Sequence, residues 1–246
     1  MYHSAVNMER RPMSGDLRVK RVEEKYPISF WQYTGLYSAL SAMLIPDRHN
    51  APDGYMIRSV YFDDYSETAY YDKVSGVMER FKLRLRIYPP DFDTVKLELK
   101  EKRGGFQQKH TLLISRPEAE ALINKDYDIA LQNKGIEEML LKNGIAIYTM
   151  RPVVMNQYRR SAFMHPINNI RITLDRDILS SETNFDLFSQ APVLFPVTDY
   201  YEAILEVKYD NYLFKWISDI LDAYGLDMGA YSKYTLSRRL FGDFIS

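Results

Sequence analysis

Between residues 80 and 87 the chain reads RFKLRLRI, and between residues 95 and 102 it reads VKLELKEK. In the first run Arg80, Lys82, Arg84 and Arg86 alternate with Phe81, Leu83, Leu85 and Ile87. In the second, Lys96, Glu98, Lys100 and Lys102 share one face and Val95, Leu97 and Leu99 the other, until Glu101 breaks the pattern. A period of two marks a β-strand whose faces meet different surroundings. One face here is apolar and the other almost wholly cationic, so the fold is decided by which of them points inward.

The same alternation recurs elsewhere. Arg171, Thr173, Asp175 and Asp177 oppose Ile170, Ile172 and Leu174; Glu206 and Lys208 oppose Leu205 and Val207; Arg21, Glu23 and Lys25 share a face near the start. Less regular strands are expected at Tyr55 to Asp63, Gln107 to Ser115 and Val153 to Phe163, about eight strands in all. Gly104-Gly105 reads as the hairpin turn between the fourth and fifth. Helices are expected from Phe30 to Leu44, from Pro117 onward, from Glu137 to Lys142 and from Asn211 to Tyr224, with Ser232 capping a last one. Residues 180–198 read as a long excursion between strands. Residues 1–17 are expected to be a flexible lead-in and 18–246 a single domain, since 246 residues suffice for one generous core.

In an ordinary barrel the apolar faces meet inside and the charges face water. Two observations favour the reverse. Apolar faces turned inward leave three or four amphipathic helices with nothing to cover. With the sheet inside out, those helices lie on its outer, apolar side and the charges line a bore. The charges are also sorted. Arg21, Lys25, Arg58, Lys82, Arg84, Arg86, Lys96, Lys100, Lys109, Arg160, Arg171, Lys208 and Lys233 face Glu23, Glu98, Asp175 and Glu206. That is a surplus of nine positive charges in a chain whose net charge is −1. Like charges about 4 Å apart repel by roughly 4 kcal/mol at an effective dielectric of 20. A bore so lined calls for a polyanion.

Composition excludes much else. There is no cysteine, which removes disulfides and thiolate metal sites and suits a reducing compartment, the cytoplasm. No apolar run is long enough to form a membrane-spanning helix. The near-neutral net charge argues against a nucleic-acid-binding surface. The four histidines lack zinc-ligand spacing, and neither a nucleophile elbow nor a P-loop is present.

The succession Arg21-x-Glu23-x-Lys25-Tyr26, Tyr61-Phe62-Asp63, Lys82-x-Arg84-x-Arg86, Lys96-x-Glu98-x-Lys100, Tyr158-x-Arg160-x-Ala162-Phe163, Arg171-x-Thr173-x-Asp175, Leu205-Glu206-x-Lys208 and Ser232-Lys233-Tyr234 resembles the VTC domain. That domain is the polyphosphate polymerase module of the vacuolar transporter chaperone complex, among the triphosphate tunnel metalloenzymes. The resemblance implies an α+β fold: an eight-stranded antiparallel β-barrel tunnel with helices outside. It also implies ATP and polyphosphate as ligands, Mn²⁺ or Mg²⁺ as cofactor, and transfer of the γ-phosphate of ATP to a growing chain. By motif, Lys25, Arg84, Arg86, Lys100, Arg160, Arg171 and Lys233 are its phosphate ligands, Ser232 a phosphate hydrogen-bonding partner and Glu206 its metal ligand. Lys96 and Lys109 are weaker candidates, as are the bore cations Arg21, Arg58, Lys82 and Lys208. Where eukaryotic members carry a further lysine, this chain has Ala230. The sensor domain and membrane segments of the eukaryotic complex are not in this sequence, so its regulation and translocation do not carry over; docking on a membrane-protein partner that exports the product stays open, and no motif points to it.

These residue types suit phosphoryl transfer, which asks a protein chiefly to position reactants and to neutralise the equatorial oxygens. Arginine offers a fork for two phosphate oxygens and lysine a mobile point charge. A hard divalent cation wants carboxylates, from Glu206 with Glu23 or Asp175. Two other functions use the same residues: hydrolysis of triphosphate or short polyphosphate, and non-catalytic sensing of polyphosphate or nucleotide.

Overall fold

A computed structural model describes residues 21–104, 106–197, 202–229 and 231–238. In chain order its elements are β1 (Arg21–Ile28), α1 (Phe30–Met43), β2 (Ile45–Pro46), β3 (Tyr55–Asp64), α2 (Thr68–Val74), β4 (Arg80–Tyr88), β5 (Asp91–Arg103) and β6 (Phe106–Ile114). Then follow α3 (Arg116–Asn124), α4 (Tyr127–Ala130), α5 (Lys134–Lys142), β7 (Met150–His165), β8 (Ile170–Ser181), β9 (Phe195–Pro196), β10 (Ala203–Asp210), α6 (Lys215–Asp222) and α7 (Lys233–Ser237). The expected strands and helices are all present, with α2 and α4 in addition. Ser115 and Glu118 close a capping box on α3, and Ser232 caps α7.

Eight strands form one antiparallel sheet in the order β1-β10-β8-β7-β3-β4-β5-β6, with β2 beside β7 and β9 beside β8. Irregularities at Tyr61/Phe62, Arg86/Tyr88 and Gln157/Arg159 add twist where the sheet bends. The sheet curls into a half-barrel: no pairing joins β1 to β6 among the described residues. Side chains reach across the opening nonetheless, for Lys100 Nζ on β5 lies 3.3 Å from Glu23 Oε2 on β1.

The apolar strand faces point outward, under the helices. Leu83, Leu85 and Ile87 of β4 and Val95, Leu97 and Leu99 of β5 pack with Ala119 and Leu122 of α3 and Ile136 and Leu140 of α5. On the other flank, Ile172 and Leu174 of β8 and Leu205 and Val207 of β10 pack with Leu36 and Leu40 of α1 and Ile217 and Leu221 of α6. Each such side chain contributes roughly 1.5–3 kcal/mol by leaving water. Two cores therefore clamp the sheet from outside, and its concave face is free to be polar.

Candidate functional site

On the concave side, β4 and β5 set their cations directly against one another. Arg80 pairs with Lys102, Lys82 with Lys100 and Arg86 with Lys96, and only Arg84 meets an acid, Glu98. Like charges opposed across strands are destabilising. Glu98 partly offsets this. It is 2 % exposed, and it holds Arg84 (2.7 Å), Arg86 (3.7 Å) and Lys109. Burial pushes its carboxyl up, but those three cations outweigh it and hold Glu98 below the usual carboxylate range.

Opposite stands a second acid-centred cluster. Asp175, wholly buried, takes Arg160 Nε and Nη2 at 2.6 and 2.7 Å and Lys233 Nζ at 2.5 Å. Glu206 pairs with Lys208 at 2.8 Å and stands 3.9 Å from Arg160. Its own burial favours the neutral acid, yet Lys208, Lys25, Lys233 and Arg160 together hold it well below its ordinary range. Glu23 binds Lys25 at 2.9 Å and Lys100 at 3.3 Å.

The carboxylates answer differently to a divalent cation. Among the described residues no three acidic or histidine side chains converge on one point. Glu206 and Glu23 are close enough that Glu206 works against ionisation of Glu23, and a cation between them would relieve that. The pair fits a metal that takes one or two carboxylates and fills its shell with phosphate oxygens and water. Asp175 is placed differently: it is wholly buried and holds Arg160 through both oxygens at 2.6 and 2.7 Å and Lys233 as well, an arrangement that orients cations.

Lys25, Arg84, Arg86, Lys100, Arg160, Lys208, Ser232 and Lys233 are brought together in the bore. Lys109 joins them through Glu98. Lys82 donates to Ser232 Oγ at 2.8 Å. Lys96 lies 4.7 Å from the centre of the Tyr88 ring, and Arg171 is held at one mouth by Asp47 (2.7 Å) and the Tyr55 hydroxyl (3.3 Å).

Two expected cations lie elsewhere. Arg58 pairs across strands with Ile87, and so lies on the opposite face from Arg86, whose partner is Ser59. It is buried on the outer side, donating to Gln157 Oε1 and to the Leu187 and Ser189 carbonyls at 2.8, 2.8 and 2.6 Å. Arg21 is largely exposed at the rim, 3.7 Å from Asp210. Ala230 falls outside the described residues.

What the sequence reading missed is the tyrosine lining. Arg84 donates to the Tyr61 hydroxyl at 3.0 Å, and Arg86 reaches that of Tyr158 at 3.4 Å. The Tyr234 hydroxyl donates to buried Asp63 at 2.6 Å, and Asp63 also accepts from the backbone N–H groups of Ala69 and Tyr70 at the start of α2. This bond fixes α7, and with it Lys233. Tyr61-Phe62-Asp63 and Ser232-Lys233-Tyr234 were both visible as motifs; that they meet was not.

The VTC domain family model matches residues 20–241, a span that includes every described residue. The chain belongs to the VTC domain family. Two solved structures share the fold of this VTC domain. One is a proposed adenylate cyclase from Bacillus halodurans, at TM-score 0.53 and 14 % identity, covering 92 % of this chain and 97 % of that one. The other is a proposed adenylyl cyclase from Hippeastrum described as having a dominant triphosphatase activity, at TM-score 0.53 and 14 % identity, covering 89 % and 94 %. Among curated protein sequences none matches. No helix of the described residues is long and apolar enough to cross a membrane.

Proposed function

We propose that this VTC domain is a metal-dependent polyphosphate polymerase that transfers the γ-phosphoryl group of ATP to the end of a phosphate chain. One observation carries the reading: the cationic rungs do not stop at one cluster. On β4 alone Arg80, Lys82, Arg84 and Arg86 face the bore, and same-face residues about 6.6 Å apart make a ladder about 20 Å long. A triphosphate engages part of that ladder; a chain engages all of it.

In this reading the bore divides by chemistry. The mouth at Arg171 is aromatic, with Tyr55 between His49 and Tyr88 at centroid distances of 6.1 and 6.3 Å, and takes the nucleoside. Arg84, Arg86, Arg160 and Lys233 hold the reacting phosphates. The terminal oxygen of the chain forms a bond to the γ-phosphorus, the bond from that phosphorus to the β-bridging oxygen breaks, and ADP leaves with the electron pair. Because the attacking oxygen is already anionic, no protein nucleophile or base is required. What the arginines and lysines supply is alignment and charge neutralisation. Glu206 and Glu23 would hold the divalent cation, whose chemistry is to neutralise and orient phosphate oxygens.

Hydrolysis is the second reading, favoured by the triphosphatase activity described for the Hippeastrum protein. It differs only in the acceptor. Purified protein incubated with ATP and Mn²⁺, with products resolved by length, separates the two. Chains are expected; orthophosphate alone would overturn the polymerase in favour of the hydrolase. Tight polyphosphate binding without turnover would leave a sensor.

A further inference from the structure

Ser232, just before α7, sets its hydroxyl oxygen 2.8 Å from Lys82 Nζ on β4. The backbone N–H of Thr235 donates to the same oxygen at 3.4 Å, so the cap of α7 fixes where it points. Ser232 is 7 % exposed, and both side chains line a recess of about 210 Å³ at the Arg80 end of the bore. One water takes roughly 30 Å³ of liquid, so a phosphate group has room beside Ser232 Oγ.

Hydroxyls elsewhere in the bore face arginines. Ser59 and Tyr158 lie against Arg86, and Tyr61 against Arg84. Arginine stays protonated and cannot take a proton from a hydroxyl. A buried lysine can, once its surroundings favour the free amine. Lys82 makes no ion pair among the described residues, and the Tyr234 ring of α7 lies 5.2 Å from its Nζ. Burial first, then Lys25, Lys73, Lys100 and Arg84, push it well below its ordinary value. A hydroxyl touching an uncharged amine has the parts of a nucleophile with its base.

The pair also stands where an acceptor would. Tyr55, at the mouth that takes the nucleoside in the reading above, neighbours Tyr88, which ends β4 opposite Arg80. An acceptor therefore approaches the reacting phosphates from the Arg80 end. Lys82 is one bore-facing step, about 6.6 Å, from Arg84 in that direction, and Ser232 directly precedes Lys233. With no chain in the bore, the oxygen nearest the γ-phosphorus on that side is the one on Ser232.

We propose that Ser232 is a phosphorylation site with Lys82 as its base, taking the γ-phosphoryl group of ATP when no phosphate chain fills the bore. Lys82 Nζ takes the hydroxyl proton as Ser232 Oγ bonds to the γ-phosphorus. The bond from that phosphorus to the β-bridging oxygen breaks, and ADP leaves with the electron pair. A serine phosphate ester remains beside the Lys82 ammonium, in the step a chain would occupy. Elongation needs no such base, because the end of a chain is already anionic. The site rests on the reading of the bore as an ATP site, but on neither the polymerase nor the hydrolase.

The test incubates the protein with γ-labelled ATP and Mn²⁺ without polyphosphate, then maps the label by mass spectrometry after proteolysis. One phosphoryl group on Ser232 is expected. Long-chain polyphosphate at about ten times its Kd, with ATP kept saturating, should slow labelling about tenfold. Lys82→Arg keeps the charge but removes the base, and should slow labelling about a hundredfold or more. Ser232→Asn keeps an N-cap and should lose the label; the mapped site and Lys82→Arg decide the matter even if that variant unfolds. No label on Ser232, labelling that polyphosphate leaves unaffected, or the wild-type rate in Lys82→Arg would overturn the site. Label on Ser232 without chains sinks the polymerase and leaves the site standing, and chains without label do the reverse. Neither label nor turnover removes both.

Discussion

Asp175 shows how much a single residue can organise. It makes no contact with solvent, yet two cations converge on it, Arg160 through both of its oxygens and Lys233 through one. Its carboxyl is held below the ordinary value because Arg160 and Lys233 outweigh the effect of burial. Removing one partner of a buried pair costs more than the pair contributes, since it strands the other charge. Asp175→Asn is therefore expected to lose about 3–5 kcal/mol of unfolding free energy in phosphate-free buffer. A bound polyanion would replace the missing charge, so tripolyphosphate should raise the thermal midpoint of the variant by more than that of the wild type. An equal rise in the two proteins would mean that Arg160 and Lys233 do not face the ligand.

At the scale of elements, β4 and β5 were legible because every second residue declares its face, and the helices because they needed an apolar surface to cover. β3 was not. Its sequence YMIRSVYFDD offers tyrosines and a serine to the bore and an arginine to the core, the reverse of its neighbour. Only the pairing of Arg58 with Ile87 reveals the parity. Nor could the sequence show the opening between β1 and β6, since strand alternation carries no information about closure. Arg58 instead fastens the excursion after β8 by its bonds to the Leu187 and Ser189 carbonyls. Arg58→Met keeps the stem but leaves those carbonyls without their charged donor. Hydrogen bonds to charged groups contribute about 1.5–3 kcal/mol each, so a loss of roughly 3 kcal/mol is expected in denaturant unfolding. Tripolyphosphate affinity should not change in this variant, whereas Arg86→Met should lose it. An Arg58→Met protein of normal stability and weakened phosphate binding would return Arg58 to the bore.

For the whole molecule, the bore is a balance between trapped carboxylates and surplus cations, and pH tilts it in a definite direction. Glu23, Glu98, Asp175 and Glu206 titrate lower in the folded chain than their ordinary values of 4.5 or 3.8. Between the folded and unfolded values the unfolded chain binds more protons, so their contribution is complete above those ordinary values and is lost as pH falls through the folded ones. Lys73, Lys82 and Lys100 are also lowered from 10.5, by burial first and then by neighbouring cations. Again the unfolded chain holds more protons in the window, and stability without ligand should rise with pH as these lysines discharge. Lys25, raised by Glu206 and Glu23 against burial, opposes this only above 10.5. Phosphate binding needs the same lysines charged. The stabilisation given by tripolyphosphate should therefore shrink between neutral pH and about pH 10 while the ligand-free protein gains stability. Thermal midpoints with and without tripolyphosphate across that range test this. Lys82→Met separates the protein's contribution from the titration of tripolyphosphate itself, because both slopes should flatten in that variant. If they match the wild type, Lys82 is not the group that couples the charge of the bore to its ligand.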